Sequence, residues 1–194
     1  MEKNIVIIVL GWCVYGFVHS ALATTAVKEF ARSVGIRIGF FKVLYNIIAL
    51  GGLYALIKFQ TSVITPKLLP SSLVIILFGA LLSVIGIAIM GICIFKYFKQ
   101  MNGFSREVLH PSLIITGLHR YVRHPLYSGT FVFITGLFFL FPFFGNLVAI
   151  SVIIAYTLIA IKFEEAKLVL TFGEDYKRYQ HRVPKILPDF CKRP

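Results

Sequence analysis

Long apolar stretches separated by short polar connections make up most of the chain. Three of them run from about Ile5 to Ala23, from Phe40 to Ile57 and from Leu73 to Phe95. Each is close in length to the ~20 apolar residues that cross a bilayer as one helix. The pattern therefore predicts three membrane-spanning helices in this part of the chain.

A longer uncharged run extends from Leu126 to Ile161 and has Gly145 and Asn146 near its middle. It is too long for one span and fits two shorter helices joined at a Gly-Asn turn. A helical hairpin returns its end to its beginning. We therefore expect the two glutamates after the run, Glu164 and Glu165, to lie beside the basic residues that precede it.

The composition also indicates an integral membrane protein. Of the 194 residues, 58% are hydrophobic and 14% are charged, and the mean hydropathy is +0.84. The predicted fold is an all-α, polytopic membrane helix bundle with about five transmembrane helices, forming one domain over residues 1–194. The cysteines, Cys13, Cys93 and Cys191, lie far apart and match neither a zinc site nor a disulfide framework.

The charges are distributed unevenly between the predicted connections. The formal net charge is +12, and seventeen of the twenty Lys and Arg residues fall on one side of five spans, against Lys3, Lys58 and Lys67 on the other. The positive-inside rule then predicts a multi-pass protein with its basic face and C-terminus in the cytoplasm. No nucleic-acid recognition module accompanies the positive charge, so we expect it to face membrane lipids rather than nucleic acid, and we infer no obligate protein partner.

The chemistry of the chain is concentrated where the hairpin begins and ends. Pro125 suits the first turn of a helix, whose free N–H groups, with Arg123 and His124 beside them, can hold an anion. Glu164 and Glu165 would supply negative charge for a cation at the same level. A pocket with both signs of charge suits a zwitterionic, amino-acid-like ligand.

Helical spacing distinguishes the two glutamates in this prediction. Glu164 follows Ile161 by three residues and should face the bundle with it. Glu165 follows Lys162 by three residues and should form an exposed ion pair with it. Glu164 is therefore the expected inward residue.

Two further features concern the connection from Lys96 to Pro125. It is the longest in the chain and contains several apolar residues, so we expect it to fold over the bundle, where it could act as a lid. It also contains His119, whose spacing to His124 could suggest a metal site. No further histidine boxes or nearby acids support that alternative, and no metal is expected.

A two-part motif in the second half of the chain resembles a known family. It consists of Gly117, Tyr121, Arg123, His124, Pro125 and Tyr127, followed by Glu164, Glu165, Leu168, Phe172, Gly173, Glu174, Asp175, Tyr176, Tyr179, Arg182, Val183, Pro184 and Pro188. This is similar to the C-terminal signature of isoprenylcysteine carboxyl methyltransferases, which also occurs in phospholipid methyltransferases and bacterial membrane thiol methyltransferases. The resemblance covers residues 111–190.

The resemblance implies a membrane methyltransferase that binds S-adenosylmethionine at the cytoplasmic face. The residues expected to bind this cofactor are Gly117, Tyr121, Arg123, His124, Pro125, Tyr127, Glu164 and Glu165. His119 or His124 could assist a thiol acceptor, and Arg120 could position a carboxylate acceptor. The acceptor is expected to be lipophilic or small, and the residues alone do not choose between a thiol, a carboxylate and a lipid headgroup.

Two other functions stay open at this point. Membrane sterol reductases, which bind NADPH, resemble the same family in their C-terminal half, but they are much longer. A non-catalytic accessory membrane protein would be expected to lose the cofactor residues, whereas both halves of the motif are present here. Binding of labelled S-adenosylmethionine or of NADPH would separate these alternatives.

The charge asymmetry makes a testable prediction about topology. Single cysteines placed at Asn4 and Gln180 should react with an impermeant thiol reagent from opposite sides of the membrane, because five spans separate them. Labelling of both positions from the same side would contradict the predicted topology.

Overall fold

The computed structural model describes residues 2–101 and 113–189, and these ranges are helical apart from their connections. The predicted all-α fold is confirmed. The elements are α1 (Glu2–Ala23), α2 (Thr25–Ser33), α3 (Ile38–Ser62), α4 (Leu73–Met101), a short 3-10 helix (Gly117–Arg120), α5 (Pro125–Leu140), α6 (Phe144–Phe172) and α7 (Glu174–Arg182).

Four of these helices, α1, α3, α4 and α6, are long and apolar enough to cross a membrane. The fifth apolar helix, α5, has 16 residues. At 1.5 Å per residue it is about 24 Å long, somewhat short of a hydrocarbon layer of about 30 Å. The predicted five apolar helices are therefore present, and the crossing of the membrane by α5 stays a prediction.

Backbone contacts divide the chain into two compact units. The first comprises the described residues up to Leu69 together with Pro142–Tyr156, and the second comprises those from Pro70 to Phe141 together with the part from Thr157 onwards. Helix α6 contributes its first half to one unit and its second half to the other. The organisation of residues 1–194 as one domain stays a prediction.

In the first unit, polar side chains join helices inside otherwise apolar surroundings. Trp12 Nε1 donates to Gln60 Oε1 at 2.7 Å, and Gln60 Nε2 donates to Asn146 Oδ1 at 2.6 Å. The hydroxyl of Tyr156 donates to the carbonyl of Gly16 at 2.6 Å. Such pairing is required in lipid, where water cannot satisfy polar groups.

The turn of the hairpin differs from the prediction. Helix α5 ends at Leu140 and α6 begins at Phe144, so the turn comprises residues 141–143, and Gly145 and Asn146 lie in the first turn of α6. The reason is Pro142, which disfavours helical backbone at the residue before it and so ends α5. The predicted Gly-Asn turn was therefore wrong by a few residues, whereas the hairpin itself is confirmed.

The second unit is built on close packing between α4 and α5. A methyl group added to Gly86 would lie 2.5 Å from the backbone nitrogen of Phe133 and 2.7 Å from the carbonyl oxygen of Gly129. One added to Gly136 would lie 2.5 Å from Ser83 Oγ. Small residues thus let the two backbones touch, as is typical of helix pairs in membranes.

The lid predicted for the connection from Lys96 to Pro125 falls largely on residues 102–112, which lie outside the described ranges. Helix α4 continues to Met101, beyond the expected end of the span at Phe95. On the other side, the chain enters the 3-10 helix at Gly117. The lid stays a prediction.

The α4–α5 contact predicts unequal effects for two glycines of one helix. Gly86→Ala should lower the free energy of unfolding by about 1 to 3 kcal/mol, because its methyl group overpacks the contact with α5. Gly91→Ala is the matched control, since a methyl group there meets nothing within 4 Å, and alanine favours a helix over glycine by at most ~1 kcal/mol. Thermal unfolding in detergent would measure both, and equal midpoints would contradict the packing.

Candidate active site

The residues on either side of the hairpin meet in the second unit, as predicted. Arg123 and His124 immediately precede α5, and Pro125 is its first residue, with His124 as the N-cap. Arg123 Nε donates to Glu165 Oε1 at 2.8 Å, and His124 Nε2 lies 3.1 Å from the same oxygen. The returning helix α6 therefore brings Glu165 onto the start of α5.

Glu165 is a buried carboxylate surrounded by basic groups. Its side chain is 9% exposed, and that of Arg123 is 10% exposed. The ammonium group of Lys185 lies 3.4 Å from the second carboxylate oxygen, Oε2. Burying a charge is costly unless it is paired and hydrogen-bonded, and the arginine, the histidine and the lysine together provide that compensation.

The expected orientation of the two glutamates was therefore wrong. The spacing predicts an exposed pair of Glu165 with Lys162, whereas the structure buries Glu165 and leaves Glu164 about half exposed. Glu165 follows the fully buried Ile161 by four residues. It precedes Val169 by four, and Val169 packs against the buried side chains of Tyr176 and Tyr179 in α7. Glu165 thus lies on the same face of α6 as these two residues, and its contacts with Arg123, His124 and Lys185 hold it there.

Arg123 also binds the segment that follows α7. Its Nη1 donates to the backbone carbonyls of Gln180 at 2.8 Å and Val183 at 2.5 Å. The amide of Arg123 donates to the carbonyl of Pro184 at 2.9 Å. Two of the guanidinium nitrogens thus bind acceptors within the protein, which makes Arg123 a residue that fixes the local backbone.

Two neighbouring bonds extend this attachment. The amide of His124 donates to the carbonyl of Lys185 at 3.1 Å. The hydroxyl of Ser128, one turn into α5, donates to the carbonyl of Ile186 at 2.6 Å. The carbonyls of residues 183–186 thus each accept a hydrogen bond from Arg123, His124 or Ser128, at or just before the start of α5. Sequence reasoning missed Lys185 and Ser128, and the position of Lys185 directly after Pro184 of the motif was the one available signal.

Helix α7 forms an apolar support beneath these bonds. Tyr176 is 1% exposed and packs with Tyr179 and Val183 against Leu168 and neighbouring residues of α6. Burial, and then the nearby charge of Glu165, raise the pKa of the Tyr176 hydroxyl. Gly173 has a φ of +56°, which glycine adopts without strain. This glycine lets the chain turn directly from α6 into α7.

Glu164 points to the more open side of the site. Its side chain is 46% exposed. The hydroxyl of Tyr127 donates to Glu164 Oε2 at 3.1 Å, and His124 Nδ1 lies 3.9 Å from that oxygen. Within the described part of the chain, the hydrogen bond from Tyr127 and the ion pair with His124 both reach Oε2 of Glu164.

The histidine at the N-cap lies between the two carboxylates. Its Nε2 faces Glu165 and its Nδ1 faces Glu164, and its ring lies 5.7 Å from that of Tyr127. The side chain is 5% exposed. His124 therefore couples the buried, basic side of the site to its open, acidic side.

The remaining predicted residues lie in or beside the 3-10 helix. Gly117 has a φ of +63°, and Tyr121 is 49% exposed. No hydrogen bond or ion pair within the described ranges joins either of them to the two glutamates. Arg120 lines a wide surface groove of about 1000 Å³ beside α7. The contacts of the site thus assemble Arg123, His124, Tyr127, Glu164 and Glu165.

His119 is linked to the site through its backbone and its charge environment. Its carbonyl accepts a bond from the hydroxyl of Tyr179 at 2.6 Å. Burial, and then the nearby positive charges of His124 and Lys96, lower the pKa of the His119 imidazole. The neutral form is therefore favoured near pH 7. Across the described residues, no group of three His, Cys, Asp or Glu residues with the geometry of a metal site occurs.

The buried carboxylate makes a testable prediction. Glu165→Gln should lower the free energy of unfolding by about 3 to 5 kcal/mol, because it leaves Arg123 buried without a counter-charge. Hydrogen exchange should also increase at the amides of Arg123 and His124, since their acceptors lie in the segment that Glu165 holds in place. Thermal unfolding and exchange mass spectrometry would measure the two effects.

Glu174→Gln is the matched control for that variant. It makes the same chemical change in an exposed ion pair with Lys177, and exposed pairs contribute little to stability. We expect its unfolding and exchange to match the wild type. Equal stability of the two variants would contradict the role assigned to Glu165.

Comparison with known proteins adds the family context of this site. Residues 72–175 match the phospholipid methyltransferase family. A methanethiol S-methyltransferase of Crocosphaera subtropica is 40% identical over 102 residues, which are 52% of this chain and 36% of that protein. A protein-S-isoprenylcysteine O-methyltransferase of Schizosaccharomyces pombe is 36% identical over 83 residues, which are 39% of this chain and 33% of that protein.

A methanethiol S-methyltransferase of Bradyrhizobium diazoefficiens is 32% identical over 86 residues, 43% of this chain and 29% of that protein. The chain spans about a third of the length of the curated relatives it matches. No solved structure shows significant similarity to it. The matched residues 72–175 include both halves of the site, from Arg123 to Glu165, and make up more than half of the 194 residues. The resemblance seen in the paired motifs is thereby confirmed, and the chain belongs to the phospholipid methyltransferase family.

Proposed function

We propose that this membrane protein is a methyltransferase that uses S-adenosylmethionine and acts on a small or lipophilic acceptor. The observation that carries the proposal is the pair of carboxylates at the start of α5. One is buried and neutralised, and the other is open and oriented by Tyr127 and His124. Both lie within the residues that match the family.

The chemistry of the site fits the cofactor. S-adenosylmethionine supplies an electrophilic methyl group on a positively charged sulfur, and its other end carries an ammonium and a carboxylate. The open carboxylate of Glu164 suits the ammonium group. Glu165 is less suited to that role, because its two oxygens already face Arg123, His124 and Lys185. In this proposal Glu164 binds the cofactor and Glu165 positions the residues around it.

The carboxylate end of the cofactor would lie at the start of α5. The first-turn N–H groups of a helix point outward and favour negative charge. His124 is placed at this helix start, and Pro125 fixes its direction. Arg123 contributes mainly through the positive charge that it places nearby, since its Nε and Nη1 bind protein acceptors.

The chain's part in the reaction is to align the acceptor, exclude water and handle one proton. A thiol acceptor must lose its proton to become a good nucleophile, and a neutral imidazole can accept it. The lowered pKa of His119 favours that neutral form near pH 7. A carboxylate acceptor needs no base, and Arg120 could position it.

A neutral imidazole at His119 suits a thiol acceptor, which must lose a proton, better than a carboxylate, which has none to lose. Relatives that match this chain are named methanethiol S-methyltransferase, and another is named protein-S-isoprenylcysteine O-methyltransferase. Short-chain thiols and an isoprenylcysteine analogue are therefore the two acceptors to compare. If His119 is the base, the variant His119→Gln should lose turnover of the thiol acceptor. A thiol of lower pKa, which loses its proton more readily, should restore turnover in that variant.

The proposed location of the site is the cytoplasmic membrane face. The asymmetry of seventeen basic residues against three supports this orientation. A water-soluble, charged cofactor would then enter from the cytosol, and a lipophilic acceptor from the bilayer. Binding of NADPH in place of S-adenosylmethionine would instead favour a reductase, and binding of neither would favour an accessory protein.

The assignment of Glu164 is tested by calorimetry with S-adenosylmethionine and, separately, with its demethylated product. Glu164→Gln should weaken binding by about ten- to a hundredfold, because a hydrogen bond to a charged group is worth roughly 1.5 to 3 kcal/mol. Glu174→Gln, the same change at an exposed site, should bind like the wild type. Unchanged affinity in Glu164→Gln would reject this placement of the ammonium group.

A further inference from the structure

The first unit contains a second candidate site, a groove between α1 and α3. It runs along α1 from Gly11 to Leu22 and along α3 from Tyr45 to Leu56, and its volume is about 300 Å³. Its lining is almost entirely apolar, and the helices that form it are both candidate membrane spans. Hydrocarbon rather than water is therefore the natural content of this groove.

The length of the groove matches one leaflet of a bilayer. Eleven residues of helix rise about 16 Å, which is about half of a hydrocarbon layer of about 30 Å. Leu22 lies at the end of α1, and Gly11 lies near its middle. The groove thus runs from the membrane surface to about the midplane, as a single extended hydrocarbon chain does.

The surface end of the groove carries a polar cluster. The ring of His19 lies 5.9 Å from that of Tyr15 and 5.4 Å from that of Tyr45. The Tyr45 hydroxyl is 3.1 Å from His19 Nε2 and 3.3 Å from Nδ1, so it can bond only one of them at a time. No other hydrogen bond reaches this ring from the described residues. One ring nitrogen is therefore left for a ligand.

The chemistry at this end favours a carboxyl group. Depending on its tautomer, the remaining nitrogen of a neutral imidazole is a donor or an acceptor, and a carboxyl group can match either. Lys42 precedes Tyr45 by three residues on α3, which places it on the same side of that helix. An ionisable side chain within a membrane span is in general a candidate functional residue.

We propose that this groove binds a long-chain carboxylic acid, with the hydrocarbon chain between α1 and α3 and the carboxyl group at His19 and Tyr45. The site lies entirely in the first unit, and the proposal does not depend on methyl transfer. It differs from ordinary contact with bulk lipid in being saturable and in requiring a single chain with an acidic head.

The chain provides its own reporter for this site. Trp12 is the one tryptophan in the sequence, and its ring lies 6.0 Å from that of Tyr15, which lines the groove. Bromine quenches only fluorophores close to it. Dibrominated stearate, added to the full chain in nanodiscs, should quench Trp12 and reach saturation, and unbrominated stearate should reverse the quenching by competition.

Two adjacent glycines supply the test variant and its matched control. A methyl group on Gly52 would lie 3.5 Å from the Tyr15 ring, inside the groove, whereas one on Gly51 meets nothing within 4 Å. Gly52→Leu should weaken stearate binding by at least about tenfold, and Gly51→Leu should leave it unchanged. His19→Leu should weaken binding of stearate by about tenfold through loss of the polar contact. The same variant, His19→Leu, should weaken binding of the methyl ester of stearic acid by less than it weakens binding of stearate.

Other outcomes would overturn the proposal. Quenching that does not saturate, that is equal in Gly52→Leu and Gly51→Leu, or that a dibrominated two-chain phosphatidylcholine reproduces at the same mole fraction would indicate bulk lipid contact only. If Gly52→Leu fails to fold by circular dichroism, Ala49→Leu fills the same groove and replaces it, since only the backbone of Ala49 bonds Tyr15. Stearate binding that Ala49→Leu leaves unchanged would also reject the site.

Discussion

The buried carboxylate of Glu165 is the interaction on which the rest of the site depends. It joins three segments that are distant in sequence, namely the start of α5, the second half of α6 and the residues after α7. Arg123 extends the connection by donating to carbonyls at the end of α7. Removing the negative charge would leave a buried guanidinium unpaired, which costs more than the pair itself contributes.

This arrangement separates two roles that the sequence motif presents together. Adjacent glutamates on a helix point in different directions, so one can be used for architecture and the other for ligand binding. Glu165 is enclosed by the protein's own basic groups, whereas the side chain of Glu164 is about half exposed. His124, between them, fixes the orientation of both. A ligand at Glu164 would therefore meet a carboxylate whose position is already set, which lowers the cost of binding.

The hairpin, the meeting of its two ends and the start of α5 could be predicted from the sequence, because the signals for them are strong and local. The uncharged run between Arg123 and Glu164 predicts a hairpin, and a hairpin brings its ends together whatever its internal packing. Pro125 marks the start of α5 for a local steric reason. Gly145 and Asn146 indicate a turn a few residues too late, because Pro142 restricts the residue before it more strongly and ends α5 there.

The orientation of Glu165 could not be predicted in the same way. Spacing places Glu164 and Glu165 about equally close to the face of Ile161, and the choice is made by partners from elsewhere in the chain. Arg123 precedes another helix, and Lys185 follows α7, so neither contact has a signal in the local pattern of α6. The packing of Tyr176 and Tyr179 beneath the site is likewise a tertiary contact that helical periodicity does not report.

The length of α6 has a consequence for how such a site would meet its substrates. With 29 residues the helix is about 43 Å long, longer than a hydrocarbon layer of about 30 Å. Glu164 lies 20 residues, or about 30 Å, after Phe144, so a hydrocarbon layer that begins at the start of α6 would end near the two glutamates. For a lipophilic acceptor, the concentration that governs encounter is then its surface density in the membrane. Diluting such an acceptor with inert lipid would slow the reaction even when the total amount in the vessel is unchanged.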